Sequence, residues 1–172
     1  MRAQTKILAG LLVAVTAGWL AGCNGTIDDA DSAPVVLEVE NVQIPPVNST
    51  TDPLNPGSCV ATITNSTATF KNKPKNAVAG TSPFNDILLQ NVVVTYAWDD
   101  GLGAVGPDTF GVGGSVPASG SATGQFAVVN AGDLAGRDGH TANLVMVFHG
   151  VTVAGDPVSV TTGGSLVVNN CQ

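Results

Sequence analysis

The sequence predicts an all-β protein: a single β-sandwich of about seven to nine antiparallel strands over residues 35–172. Three observations predict it. Runs rich in Val, Thr and Ile, several with alternating polarity, are separated by turn residues at short, regular spacing. Beyond residue 22, no segment of ten or more residues carries a 3.6-residue apolar period, and 21 Gly and 10 Pro interrupt the chain throughout. Only 11% of residues are charged, against about 25% in an ordinary domain, so Thr, Ser, Asn and Gly must form much of the surface. Strands at this spacing suit a sandwich, with a small barrel as the competing architecture.

The chain opens differently. Arg2 and Lys6 form a positive segment, and Ile7 to Leu20 form an apolar stretch of 14 residues, shorter than the roughly 20 that span a bilayer. Residues 1–22 therefore read as a cleaved signal peptide. Leu20-Ala21-Gly22-Cys23 follows directly and resembles the bacterial lipobox. The resemblance implies cleavage before Cys23, acylation of that residue and anchoring to a membrane through lipid, since two or more acyl chains hold a protein stably. In enteric bacteria an Asp after the lipidated Cys favours retention in the inner membrane. Asn24 stands there instead, which implies the outer membrane. Asn24 to Pro34 (NGTIDDADSAP) is small, polar and acidic and reads as a tether, so residues 23–34 form the lipidated Cys and linker. As a coil its eleven residues span about 17–20 Å. Asp28, Asp29 and Asp31 favour standing off an anionic surface.

The strands follow in order. Val35 to Ile44 alternates, with Leu37 and Val39 on one face and Glu38 and Glu40 on the other, until Pro45-Pro46 stops it. Asn48 to Ser58 is rich in turn residues and reads as a loop. Cys59 to Phe70 is strand-like, with Thr at 62, 64, 67 and 69. Ile87 to Trp98 is the most apolar run and is expected at the centre of a sheet. Ser121 to Asn130 brings Phe126, Val128 and Val129. Ala131 to Gly139 has room for one helical turn. His140 to Ala154 is one long strand, or two broken at Gly150. Gly155-Asp156-Pro157 turns the chain. Val158 to Val160 and Ser165 to Asn169 form a last hairpin, or a strand bulged at Gly163-Gly164.

Without residues 1–22 the chain has 150 residues, enough for one domain with a real core. It then holds 4 basic and 13 acidic residues, a formal charge of −9. Nucleic acid is an unfavourable partner, because neutralising phosphates needs Lys and Arg. With Cys23 assigned to lipid, Cys59 and Cys171 remain as an even pair in an oxidising compartment, and a disulfide is expected, with two buried thiols as the alternative. Loop-closure entropy would make such a long-range bridge worth roughly 4–5 kcal/mol.

The segment Val92-Val-Val-Thr-Tyr-Ala-Trp-Asp-Asp-Gly101, with the later Val116-Pro-Ala-Ser-Gly-Ser-Ala-Thr123, is similar to that of uncharacterised bacterial lipoproteins with an immunoglobulin-like or fibronectin-like β-sandwich domain. Residues 87–169 carry the resemblance. It implies a fold and an envelope location and brings no activity, cofactor or site residues. The cysteines are spaced too widely for the usual inter-sheet bridge of an immunoglobulin domain.

Few residues point to chemistry. Gly101-Leu-Gly103-Ala-Val-Gly106 spells the dinucleotide fingerprint, but Pro107-Asp-Thr-Phe-Gly-Val-Gly-Gly follows where a helix must start, so nucleotide binding is rejected and the segment reads as a flexible inter-strand loop. Asp99, Asp100 and Asp108 flank it. They read first as turn residues. Carboxylates with loop carbonyls also suit Ca²⁺, which takes six to eight oxygens, so a calcium site at these three is the alternative. His140 is expected at a loop tip and His149 as a core or interface histidine, on opposite faces if one strand holds both. Tyr96 and Trp98 share parity with Val92 and Val94 and read as core. Lys71-Asn-Lys-Pro-Lys75 holds three of the four basic residues and reads as protection of an exposed strand edge, with anionic lipid or polysaccharide as the other reading. No nucleophile elbow and no His-Glu-x-x-His motif occurs, and Ser115 and Ser165 have no His placed beside them. The expectation is a non-enzymatic, outer-membrane-anchored lipoprotein acting as a structural or protein-interaction module with an envelope protein partner. A Ca²⁺- or glycan-binding adhesion module using the 99–115 loop is the second reading.

Overall fold

The computed structural model describes residues 33–55, 57–76, 82–102 and 105–171. The expected signal peptide, Cys23 and nearly all of the expected tether lie outside the described residues, as do Gly103 and Ala104 of the glycine-rich segment.

The described chain is all-β. Ten strands occur among these residues: β1 (Val35–Gln43), β2 (Asn48–Thr51), β3 (Cys59–Thr62), β4 (Ser66–Pro74), β5 (Ile87–Trp98), β6 (Asp108–Gly111), β7 (Ser115–Val116), β8 (Ser121–Phe126), β9 (Thr141–Thr152) and β10 (Pro157–Val167). A three-stranded sheet has the order β1-β4-β8. A five-stranded sheet has the order β10-β9-β5-β6, with β7 also paired to β5, and β2 and β3 form a small separate hairpin. The ladders within these sheets are antiparallel.

Alternation of polarity decides which face turns inward. Ala68, Phe70 and Phe126 from the first sheet meet Val92, Val94, Leu144, Met146 and Phe148 from the second, all buried. Phe148 sits edge-on to both Phe70 and Phe126, with ring centroids 4.9 and 5.0 Å apart. One side chain of the five-stranded sheet thereby packs against two strands of the other, as sandwich packing requires.

As expected from its apolarity, β5 lies inside its sheet, between β9 and the short β6 and β7. Strand β9 runs unbroken through Gly150. A β-carbon there would lie 2.8 Å from the Leu88 carbonyl oxygen and 3.0 Å from Ile87 Cγ2, beside the irregularity between Leu89 and Asn91. Glycine at 150 thus lets two backbones approach and does not end the strand. Strand β10 is likewise continuous through Gly163 and Gly164.

Four expectations need correction. Asn48 to Ser58 is not all loop: it contains β2, whose polar Asn-Ser-Thr-Thr sequence lacks the usual apolar signal, and whose pairing partner is β3. The run expected as one strand over 59–70 is two, β3 and β4. The expected 99–115 loop is not simply a loop, because β6 pairs with β5 over Asn91–Val94. Finally, Lys71 and Lys73 do not guard an edge. Strand β4 is the middle strand of its sheet, and the two lysines pair across to β1, with Nζ 3.1 Å from Glu40 and 2.8 Å from Glu38. Such exposed pairs contribute little to stability, about 0–1 kcal/mol each.

The disulfide is formed between Cys59 and Cys171, 112 residues apart in sequence, with Cα atoms 6.0 Å apart. It ties the β2–β3 hairpin to the C-terminal segment. Hydrogen bonds between Val47 and the 167–169 backbone join the same two regions.

Candidate functional site

The polar groups of interest gather where β5 ends and β9 begins. Parity along β5 buries Val92, Val94 and Tyr96 and leaves Trp98 half-buried at the end of the strand. The Tyr96 and Trp98 rings stack, 16° from parallel with centroids 6.4 Å apart. Tyr96 has one hydroxyl proton and two acceptors, Asp108 Oδ2 and the Val128 carbonyl oxygen, each 2.9 Å from Oη. Burial, then the Asp108 carboxylate beside it, pushes the phenol well above its usual value. The hydroxyl is thereby held as a donor to these two oxygens.

Arg137 completes the cluster. Its guanidinium lies 4.4 Å from the centre of the Trp98 ring, and Nη1 is 2.9 Å from Asp100 Oδ2. The Arg137 side chain is 6% exposed and that of Asp100 only 1%, so both charges are withdrawn from water together. The contact is an ion pair at an oblique angle, not a straight hydrogen bond. The other Asp100 oxygen accepts from the Leu102 N–H at 2.8 Å, closing an Asx-type turn. A 3₁₀ turn at Ala131–Leu134 positions Arg137, whose own N–H bonds to the Leu134 carbonyl.

The third aspartate points elsewhere. Asp99 Oδ1 accepts from the Thr141 N–H and lies 3.0 Å from His140 Nδ1. The Thr141 N–H chiefly, with His140, holds this carboxyl below the usual range. Asp99, Asp100 and Asp108 are therefore each directed to a different protein donor. Among the described residues, no three His, Cys, Asp or Glu side chains converge where a metal ion could sit.

The histidines do not meet. His140 sits in the loop just before β9, while His149 lies on the outer face of β9, opposite Asn91 and Ser159. Its neighbours in parity, Val145, Val147 and Val151, share that outer face, so the core side of the earlier expectation is corrected. The even-numbered Leu144, Met146 and Phe148 fill the core instead. Both faces of β9 are apolar, and parity alone cannot choose between them. Ser115 pairs with Leu88 at the far end of β5 from His140, and Ser165 pairs with Asn143. The segment after Gly106 leads into β6, a strand and not a phosphate-binding helix.

A cleft of about 480 Å³ opens beside the disulfide, between the β2–β3 hairpin and residues 131–138. Its walls are small and mostly apolar, including Ala61, Ala131, Leu134 and Ala135, with Asp138 the carboxylate among them.

The sequence reading passed over the Arg137–Asp100 pair. Rarity was the available signal. Arg137 is the one arginine beyond residue 22, and Tyr96 and Trp98 are the one tyrosine and one tryptophan there. In a chain so poor in charge and aromatics, their meeting marks the point where the loops are held. Comparison of the chain with protein-family models and with curated proteins found no match.

Proposed function

We propose that this chain is an outer-membrane-anchored lipoprotein whose immunoglobulin-like sandwich serves as a structural or protein-interaction module. The observation that carries the reading is the joining of a lipobox-like Leu-Ala-Gly-Cys23 to a disulfide-closed all-β domain in which Arg137 pairs with Asp100 and Tyr96 donates to Asp108. An Arg neutralised by Asp and capped by Trp braces the loops around it.

Strand order supports the immunoglobulin-like part. With the β2–β3 hairpin set aside, β1-β4-β8 facing β10-β9-β5-β6 corresponds to strands A-B-E facing G-F-C-C′. Trp98 then falls on the C strand. The disulfide departs from the B–F bridge of antibody domains and clamps the hairpin instead.

Two measurements test the proposal together. Metabolic labelling with an alkyne fatty acid is expected to mark the wild-type chain and not Cys23→Ala. In-cell crosslinking with mass spectrometry on native membranes is expected to join the domain to an envelope protein or to another copy of itself. An unlabelled wild-type chain would remove the anchor, and a chain joined to no protein would remove the module.

A further inference from the structure

The negative charge of the domain is gathered at one end. Among the described residues six of the ten acidic side chains, Asp52, Asp99, Asp100, Asp108, Asp133 and Asp138, lie where β5 finishes and β9 begins, and Arg137 is the one Lys or Arg there. That end carries a formal −5, while the other four acidic and three basic side chains leave −1 over the rest. Asp52 arrives with the β2–β3 hairpin, whose tip the disulfide ties to Cys171, beyond the point where Val168 bonds to Gly139 and His140. Acidity alone would mark a solvated surface. The cleft of about 480 Å³ beside the disulfide adds a shaped recess, and two polar groups on its walls are unused. Ser49, on the hairpin wall, is 5% exposed, and among the described residues its hydroxyl makes no hydrogen bond. Asp138, on the facing wall, is half-buried, and among the described residues no cation or N–H is paired to its carboxylate. A buried hydroxyl without a partner costs free energy that an incoming donor recovers.

We propose that this cleft receives a lysine side chain from a basic segment of an envelope protein. Charge and shape favour this occupant. The one cation at this end, Arg137, is already held by Asp100, so a cation for Asp138 has to come from outside. The apolar walls at Ala61, Ala131, Leu134 and Ala135 suit a four-carbon stem, which buries readily against such surface while its head stays polar. An ammonium group has three rotatable donors and no acceptor, which matches a carboxylate on one wall and a hydroxyl oxygen on the other. The remaining aspartates of this end attract the rest of a basic segment and speed its approach. The recess is preformed, because the disulfide and the Val47 backbone bonds hold a hairpin that pairs with neither sheet. Little ordering is then left for the moment of binding. The proposal rests on the reading of the domain as an interaction module and names the chemistry of its partner.

The test treats native membranes holding the full chain with a water-soluble carbodiimide, which joins a carboxylate to an amine in contact with it, and reads the products by mass spectrometry. Glu38 with Lys73 and Glu40 with Lys71 are expected to be joined in every sample, which shows that the reagent reached the domain. Asp138 is expected to be joined to a lysine of another protein. Ala135→Trp fills the cleft from an exposed position and is expected to lower that product about tenfold or more, with Asp138 still in place and the circular dichroism of the wild type. A product that survives Ala135→Trp would overturn the cleft as the site. Asp138 joined to a small amine, or to a lysine of a second copy, would overturn the basic protein as its occupant. A partner captured by general in-cell crosslinking while Asp138 stays unjoined would overturn the cleft alone and leave the interaction module standing. No partner by either route would overturn both.

Discussion

Asp100→Ala is the most informative single change. Asp100 and Arg137 face each other at 2.9 Å with side chains 1% and 6% exposed. At an effective dielectric constant near 20 their gross attraction is about 6 kcal/mol, most of it offset by desolvation. Removing one partner is worse than never having had either, because Arg137 stays buried and loses the Asp100 carboxylate. Breaking such a pair costs about 3–5 kcal/mol. The Trp98 ring still faces the cation, and a desolvated cation–π contact recovers up to about 2 kcal/mol. The expected loss is therefore near 3 kcal/mol, or roughly 6–12 °C in Tm for a chain of this size. The double variant Asp100→Ala/Arg137→Met is expected to be more stable than Asp100→Ala alone, because the buried charge leaves with its partner. Urea unfolding of the oxidised protein measures both. Trp98 fluorescence is the natural probe, since no other tryptophan lies beyond residue 22. A loss under about 1 kcal/mol, or additivity of the two substitutions within about 0.5 kcal/mol, would refute the reasoning.

Four further outcomes are expected. In the folded protein Tyr96 keeps its proton above pH 10, where an exposed tyrosine ionises, so the unfolded state binds fewer protons there and stability falls as pH rises past about 10. Tyr96→Phe should flatten that fall, and tyrosinate absorbance, which reports Tyr96 alone, should appear only on unfolding. Phe148→Ala should cost about 3–5 kcal/mol in denaturant unfolding, because its ring packs on both Phe70 and Phe126. Gly150→Ala should cost about 1–3 kcal/mol by forcing β9 away from the Leu88 carbonyl, and an unchanged midpoint would show that the strands yield freely there. Millimolar Ca²⁺ should leave Tm unchanged, because Asp99, Asp100 and Asp108 serve three separate protein donors; a rise of several degrees would show that the loops rearrange around the ion.

Much of this protein follows from local pattern. Alternation in β1 placed Leu37 inward and Glu38 and Glu40 outward, where they meet Lys73 and Lys71. The apolarity of Ile87–Trp98 marked an inner strand, and an even pair of cysteines marked the bridge between 59 and 171. These signals are legible because period, turn chemistry and cysteine parity act over a few residues or are simple counts. The misreadings have a common cause. Strand β2 is polar and forms through its pairing with β3. Strand β6 is short and forms on the edge that β5 offers. His149 went to the outer face because both faces of β9 are apolar, and which one is buried depends on where the other sheet lies.

The sequence by itself determined the all-β class, the positions of β1, β5 and β9, the disulfide partners and the resemblance to a lipobox. Each is a property of neighbours along the chain or of the compartment its residues imply. Tertiary structure alone decided that Arg137 would neutralise Asp100 under Trp98, that the three aspartates would part company, and that most of the described domain's negative charge would gather at one end. Those outcomes need residues dozens of positions apart to share a surface, and burial and electrostatics act through that surface whatever the distance along the chain.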